Sequence, residues 1–234
     1  MEHGSLMFDA VTLSTALELV STQCDTVDLS PCPEGWKVSA MTVNGVTMSV
    51  VTIPSSVLEG TVPEPFAVDA ADWRKALKGM GKVTLTVNGG RAEVSSGRVR
   101  VALRTMIVEK VPRVPTFEAD AMAVMRATEL SPVSRLTDRR TEEWRISVQD
   151  GAMEVTALDD QAYGASVALE PSVCQGSATS RYPHASWTAF LSSLPSDAVL
   201  SLEMCTDYPA RVAVSSDSVP WTAVWLVAPR IVEE

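Results

Sequence analysis

The strongest constraint in this sequence is that its two halves present the same order of elements. Each half reads as a strand, a helix, three strands, a second helix and three more strands, judged from apolar periodicity and turn residues. Residues 107–116, which include two prolines, read as an extended connecting loop between the halves. We therefore predict two similar domains, 7–106 and 117–234.

Four segments carry apolar residues at helical spacing. Between them lie runs rich in β-branched residues, separated by hairpin turns such as Asn44-Gly45. Many hairpin strands with two helices in each half predict an α+β fold, in which antiparallel sheets have their helices gathered on one face. The four predicted helices cover 13–20, 70–80, 119–130 and 185–194.

Composition argues against an enzyme or a metal protein. The four cysteines form no Cys-x-x-Cys pair, and His184 stands far from His3 in sequence, so we expect no structural zinc site and no cofactor. His184 has no nucleophile on a glycine-flanked turn beside it. The acid pairs Glu142-Glu143 and Asp159-Asp160 read as solvated turn residues. We predict a protein without catalytic residues.

Charge and targeting signals limit the partners further. The formal net charge of −10 opposes indiscriminate binding to nucleic acid, although it leaves room for a local basic surface. No apolar run reaches the roughly 20 residues that a bilayer requires, so we expect no membrane contact. Residues 1–6 read as a cloning remnant before a natural start at Met7, with no signal peptide. The expected location is the cytoplasm of an archaeal or virus-infected cell, or the nucleus of a eukaryotic one.

The last eight residues suggest a docking site. A dense apolar strand, 221–227, runs into Ala228-Pro229-Arg230-Ile231, where proline cannot continue the strand. Such an ending leaves unpaired backbone groups beside apolar side chains, which is where a partner peptide can add itself. An ordinary edge strand with a frayed tail is the alternative.

Six stretches, taken in sequence order, resemble the sliding clamps of the proliferating cell nuclear antigen (PCNA) family. The resemblance extends over 7–234 and implies that three subunits close into a ring of six domains around duplex DNA. It also implies a clamp loader, and a DNA polymerase, a flap nuclease and a ligase held through short peptide motifs. The stretches are Phe8-Asp9-Ala10 with 13–18, Ala40-Met41 with 46–50, 68–78, 108–115, Ser180-Arg181-Tyr182 with 194–199, and the pair Asp207-Tyr208-Pro209 and Ala228-Pro229-Arg230-Ile231.

The resemblance implies a basic, DNA-facing set, for which an ordinary solvated helix face is the alternative. Where family members carry lysines, the first helix has Ser14, Thr15 and Ser21, and the fourth helix has no basic residue. This departure keeps open a second hypothesis, a clamp-fold protein that binds clients or another clamp without encircling DNA. The implied DNA-facing residues are Arg74, Lys75, Lys78, Lys82, Arg126, Arg181 and His184.

The resemblance also implies a client pocket, with core between the two domains as the alternative. Gly45 replaces a bulkier family residue there. The implied pocket residues are Met41, Gly45, Val46, Met48, Val111, Val114, Pro209, Ala228, Pro229, Arg230 and Ile231.

Subunits of the implied homotrimer would join through two edge strands, 98–105 of one subunit and roughly 164–169 of the next. The strand 98–105 has one apolar and one largely basic face. A basic edge strand that prevents aggregation is the alternative reading. Few acids lie on the opposing strand, with Glu170 the nearest, so we expect sparse ion pairs between subunits. The implied interface residues are Arg98, Val99, Arg100, Val101, Leu103, Gly164, Val167 and Leu169.

Overall fold

A computed structural model of the chain describes residues 5–22, 24–108, 114–136, 140–149, 151–159, 161 and 164–230. Its contacts divide it into two compact units. Among the described residues, no helix has the length and apolar character needed to cross a bilayer. The first unit holds the described residues of 1–41, 49–114 and 219–223, and the second holds those of 42–48, 115–218 and 224–234.

The first unit contains nine strands in its described part. They are β1 (Ser5–Asp9), β2 (Thr26–Cys32), β3 (Gly35–Met41), β4 (Thr47–Pro54, in this unit from Ser49 onward), β5 (Glu59–Gly60), β6 (Phe66–Asp69), β7 (Lys82–Asn88), β8 (Arg91–Ser96) and β9 (Val99–Arg104). One antiparallel sheet has the order β5-β1-β7-β8-β9. The other strands follow the order β4-β3-β2-β6.

Two helices pack against each other in the first unit, α1 (Ala10–Val20) and α2 (Ala70–Leu77). Each begins at an aspartate whose carboxylate accepts a backbone N–H: Asp9 from Val11 and Asp69 from Asp72, both at 2.9 Å. These caps satisfy amides that a helix start otherwise leaves unpaired. Each helix buries one apolar side, which comprises Leu13, Ala16, Leu17 and Val20 of α1 and Trp73 and Leu77 of α2.

The second unit repeats this architecture. Its strands are β10 (Ala121–Arg126), β11 (Glu143–Gln149), β12 (Ala152–Leu158), β13 (Gly164–Leu169), β14 (Val173–Pro183), β15 (Val199–Met204), β16 (Ala210–Ser215) and β17 (Thr222–Val227, in this unit from Val224 onward). They follow the order β13-β12-β11-β14-β10-β15-β16-β17. Its helices are α3 (Ser131–Leu136) and α4 (His184–Ser192).

An aromatic cluster forms the core under α4. Trp187 and Phe190, both on α4, contact Trp225 of β17 with ring centroids 4.9 and 4.2 Å apart. Phe190 and Trp225 stack with only 4° between their planes, while Trp187 also stacks on Trp144 of β11. All four side chains are buried. This cluster explains why the strand before the tail is so densely apolar.

The predicted fold class is confirmed, but the third predicted helix is wrong. Residues 121–126, within the predicted helix 119–130, form β10, and 127–130 form a 3-10 turn before the short helix α3. Alanine and methionine favour helices, which produced the error. In the structure, Ala121, Ala123 and Met125 alternate inward while β10 pairs with β14 and β15, so tertiary pairing overrides propensity.

Two strands were missed or cut short because polar residues hid them. β2 contains Asp28 and Pro31 and was not predicted. β14 runs for 11 residues, of which only Ser180-Arg181-Tyr182 was predicted. Within β14, Gly176 has φ +74°, and a Cβ there would overlap the carbonyl of Asp120. A glycine that reads as a breaker is therefore required by close strand approach.

Candidate DNA-facing, tail and edge surfaces

Helix α2 carries a basic exposed surface in the first unit. Its buried residues, Trp73 and Leu77, fix which side faces out, and Lys75 lies on that exposed side, with Lys78 just past its end. Arg74 lies between the two sides, and its Nη2 is 3.0 Å from Glu18 Oε1 of α1. Lys75 and Lys78 make no ion pair with any described residue, so their charge is available to a partner.

The other predicted basic residues differ in whether they form ion pairs and in where they lie. Lys82, the first residue of β7, is paired with Glu59 of β5. Arg126 is exposed at the end of β10, where it precedes the 3-10 turn rather than lying on a helix as predicted. Ion pairing of Arg74 and Lys82 to glutamates lowers the net positive charge of this surface.

Arg181 lies on the face of β14 away from α4. Its neighbour in sequence, Tyr182, is buried and contacts Trp187 of α4, and successive side chains of a strand point to opposite faces. Arg181 Nη1 is 3.1 Å from Glu143 Oε1. His184, the first residue of α4, is half-buried, and its Nδ1 is buried without a hydrogen-bond partner among the described residues.

A groove lined by hydroxyl groups lies between α3 and α4. Its volume is about 300 Å³, and its described lining contains no charged side chain. Thr188 and Ser192 of α4 face it. Where a basic lining was expected, this groove presents neutral hydrogen-bonding groups, while Arg135, in the last turn of α3, is exposed outside its described lining. The remaining residues of the groove are Ala127, Thr128, Ser131, Ser134, Leu191, Leu194, Pro195 and Ser196.

The tail is anchored through its own backbone. The Ala228 N–H donates to the Val46 carbonyl at 2.7 Å, and the Arg230 N–H donates to the Arg181 carbonyl at 2.7 Å. Pro229, between them, has no N–H. The expectation that these backbone groups are unpaired is therefore wrong for the N–H groups of Ala228 and Arg230. The tail lies between a hairpin and β14.

Two glutamates that read as solvated turn residues hold this tail. Arg230 Nη1 is 3.2 Å from Glu142 Oε2 and 3.7 Å from Glu143 Oε2. Glu143 begins β11 and is buried, so its placement in a turn was wrong. Ion pairs to Arg181 and Arg230 compensate for burying its carboxylate. The sequence offered no signal for this pairing, because the partners are 38 or more positions away.

The hairpin that receives the tail has a tight turn. The Gly45 N–H donates to the Thr42 carbonyl at 2.8 Å, and Gly45 has φ +69°, a conformation that favours glycine. Met48 is buried, and Val43 at the tip is fully exposed. Thus Gly45, Val46 and Met48 share the second unit with the tail.

The remaining predicted pocket residues fall in three places. Pro209 and the tail residues belong to the second unit. Beside Pro209, Tyr208 is half exposed and makes an edge-on contact with Phe117 at 5.5 Å; sequence reasoning did not select either aromatic. Met41 and Val114 belong to the first unit, and Val111 and Ile231 lie outside the described residues.

β9 and β13 each end a series of paired strands. β9 is the outermost strand of the five-stranded sheet, and β13 is the outermost strand at one end of the second unit's order. Val99 is about half exposed, at 52%. Each strand is six residues long. Within the described residues, both therefore have one side available for another strand.

Solved structures similar to this chain include PCNA clamps, whereas no family model and no curated protein matches its sequence. A structure of the C-terminal region of FEN-1 bound to A. fulgidus PCNA has a TM-score of 0.84 at 19% identity, covering 99% of this chain and 100% of that one. PCNA from Entamoeba histolytica gives 0.83 at 15% identity, with 99% and 100% covered. The PCNA2-PCNA3 complex from Sulfolobus tokodaii gives 0.82 at 15% identity, with 97% and 99% covered. The expected clamp fold is confirmed over the whole chain.

Proposed function

We propose that this chain, which has the fold of the PCNA clamps, is a non-enzymatic DNA sliding clamp. In this role, subunits close into a ring around duplex DNA and tether replication and repair enzymes. The observation that carries the proposal is the match to clamp structures over nearly the full length of both chains. Two free edge strands of equal length, on different units, further support assembly of copies into a closed ring.

DNA contact is assigned to the exposed side of α2. Lys75 and Lys78 meet the need for loose, sequence-independent phosphate contacts. Arg126 is a third, more isolated candidate, whereas Arg74 and Lys82 are engaged with glutamates. Because Arg74 and Lys82 are paired with glutamates, retention on DNA relies on encirclement more than on affinity.

Client peptides are assigned to the tail and its hairpin. One structural neighbour was solved with a region of FEN-1 bound to it. By analogy, a polymerase, flap nuclease or ligase would dock here through a short motif, beside the ordered segment 228–230 and the Gly45 turn. Anchoring of this segment before binding lowers the entropy lost when a peptide docks.

Two measurements test the clamp function. The solution mass should equal three times the 25.1-kDa chain mass. Protein loaded on circular DNA by a cognate clamp loader should be lost when the circle is cut, because a ring slides off free ends. A monomer at micromolar concentration, or binding unaffected by linearising the DNA, contradicts encirclement.

The second candidate function is that of a clamp-fold protein that binds clients or another clamp without encircling DNA. The neutral, hydroxyl-lined groove between α3 and α4 favours it, because a DNA channel is expected to be basic. Client-peptide binding by a stable monomer that shows no retention on circular DNA would support this candidate instead.

A further inference from the structure

The two free edge strands, β9 and β13, each place their larger apolar side chains on one face. On β9, Val99, Val101 and Leu103 share the face of Val94, which is buried on the neighbouring strand β8. The opposite face of β9 carries Arg100, Ala102 and Arg104. On β13, Ala165, Val167 and Leu169 share the face of buried Met153, Val155 and Ala157 on β12, and the opposite face carries only Gly164, Ser166 and Ala168.

These patterns select one way of pairing β9 of one copy with β13 of another. With six residues in each strand, complete antiparallel overlap puts Val99 beside Leu169 and Val101 beside Val167, so apolar side chains meet on one face. Complete parallel overlap would put Val99 beside Gly164 and mismatch the two faces. Because a one-residue slip also exchanges the faces, burial of the apolar side favours the antiparallel register.

This register places long basic side chains over small neutral ones. Arg100 falls beside Ala168, and Arg104 falls beside Gly164. At Gly164 a Cβ would overlap the Ala157 carbonyl, so no side chain fits there. Small residues let an arginine side chain lie across β13 and reach the next strand, β12.

Glu154 is the residue of β12 directly opposite Ala168. It is exposed on the same face as Ala168, and it makes no ion pair with any described residue. Two strand spacings, about 10 Å, separate the backbone of Arg100 from that of Glu154, which is within the combined reach of the two side chains. Glu170, the acid expected from sequence, lies beyond the end of β13.

We propose that Arg100 of one copy forms an ion pair with Glu154 of the next copy, across Ala168. The inference rests on the proposed ring and defines its register. Within its own chain, Arg100 is largely exposed, and its Nη1 is 3.9 Å from Glu93 Oε1. Arg91 and Arg104 lie opposite each other on β8 and β9, so this edge has excess positive charge that an acid on a partner would neutralise. Glu154 supplies it from a second copy of this chain.

A charge-reversal cycle tests the pair. Arg100→Glu and Glu154→Arg should each raise the dissociation constant between subunits, measured by sedimentation equilibrium at low salt, by about tenfold. The double variant should recover most of this loss, since the pair is restored with its charges exchanged. Arg91→Glu is the control, because Arg91 is also exposed on this sheet but lies on β8, one strand farther from the partner. Combined with Glu154→Arg, it should give no recovery.

Two outcomes separate this inference from the ring itself. Val101→Asp places a charge on the apolar face and should dissociate the assembly whatever ion pairs exist. If Val101→Asp dissociates the assembly but the Arg100/Glu154 cycle shows no coupling, or if Glu170→Arg restores Arg100→Glu instead, the register is wrong and the ring stands. A wild-type chain that is monomeric overturns both.

Discussion

Arg230 Nη1 lies 3.2 Å from Glu142 Oε2, so the end of the described tail is tied to the residue that precedes β11. Glu143, the first residue of β11, lies 3.7 Å from the same guanidinium and is also paired with Arg181. The side chain of Arg230 is therefore held by ion pairs, and its backbone N–H is held by the Arg181 carbonyl, so both stabilise the position of the tail segment 228–230.

Removing the Arg230 side chain should weaken client binding. Arg230→Gln loses the ion pairs but keeps the backbone hydrogen bond, so the tail loosens without detaching. We expect the dissociation constant of a client peptide to rise by about threefold, as for partly exposed ion pairs. Fluorescence anisotropy with a labelled FEN-1 C-terminal peptide measures it. Arg211→Gln, which breaks the 2.7 Å pair with Glu203, is the control and should leave affinity unchanged.

Lys75→Ala combined with Lys78→Ala should reduce the salt dependence of DNA association. Each phosphate contact contributes about 0.9 to the slope of log affinity against log salt, so the slope should fall by roughly two. A titration of duplex DNA at several salt concentrations gives the slope. Lys37→Ala, on β3, is the control. An unchanged slope in the double variant would remove α2 from the DNA-facing surface.

Phe190→Ala should destabilise the second unit strongly. The ring is fully buried and stacks on Trp225 at 4.2 Å, so truncation leaves a cavity in the aromatic cluster. The free energy of unfolding should fall by about 3–5 kcal/mol, measured by urea denaturation. Val43→Ala, at the exposed hairpin tip, should change it by less than about 0.5 kcal/mol.

Low pH should release the loop after β16. Hydrogen bonds from the Ser218 and Ser216 hydroxyls lower the pKa of Asp197 from its ordinary 3.8 to about 2. A depressed pKa means that the charged form stabilises the fold: this contribution is complete above pH 3.8 and is lost as the pH falls through about 2. A carboxyl NMR titration should locate the midpoint, and Asp197→Asn should abolish the transition. A midpoint near 3.8 would show that these hydroxyls do not hold the carboxylate.

Local patterns predicted those elements whose burial follows one clear period. In α2, Trp73 and Leu77 stand four positions apart after Asp69, and both the cap and the buried side follow from that spacing. β10 failed because Ala121, Ala123 and Met125 suit a helix by composition, while strand pairing with residues 50 or more positions away decides their conformation.

The candidate site was predictable as segments but not as contacts. The tail, the Gly45 turn and α2 were found from strand-ending, turn and helix patterns, and the resemblance to a family suggested their roles. The glutamates that neutralise Arg74, Arg181 and Arg230 were not found, because ion pairs join residues far apart in sequence. Likewise, Glu154 became visible as a partner only after the register of β12 and β13 was known.

The way the tail is anchored determines which backbone groups it could offer to an added strand. The N–H groups of Ala228 and Arg230 already donate hydrogen bonds within the chain, and Pro229 has no N–H group. Residues 228–230 therefore have only carbonyl groups to offer an added strand. A client peptide that adds to this segment as a strand would therefore have to supply the N–H groups. Proline or an N-methylated residue at the paired position of such a peptide would lose this hydrogen bond and weaken binding through the backbone alone.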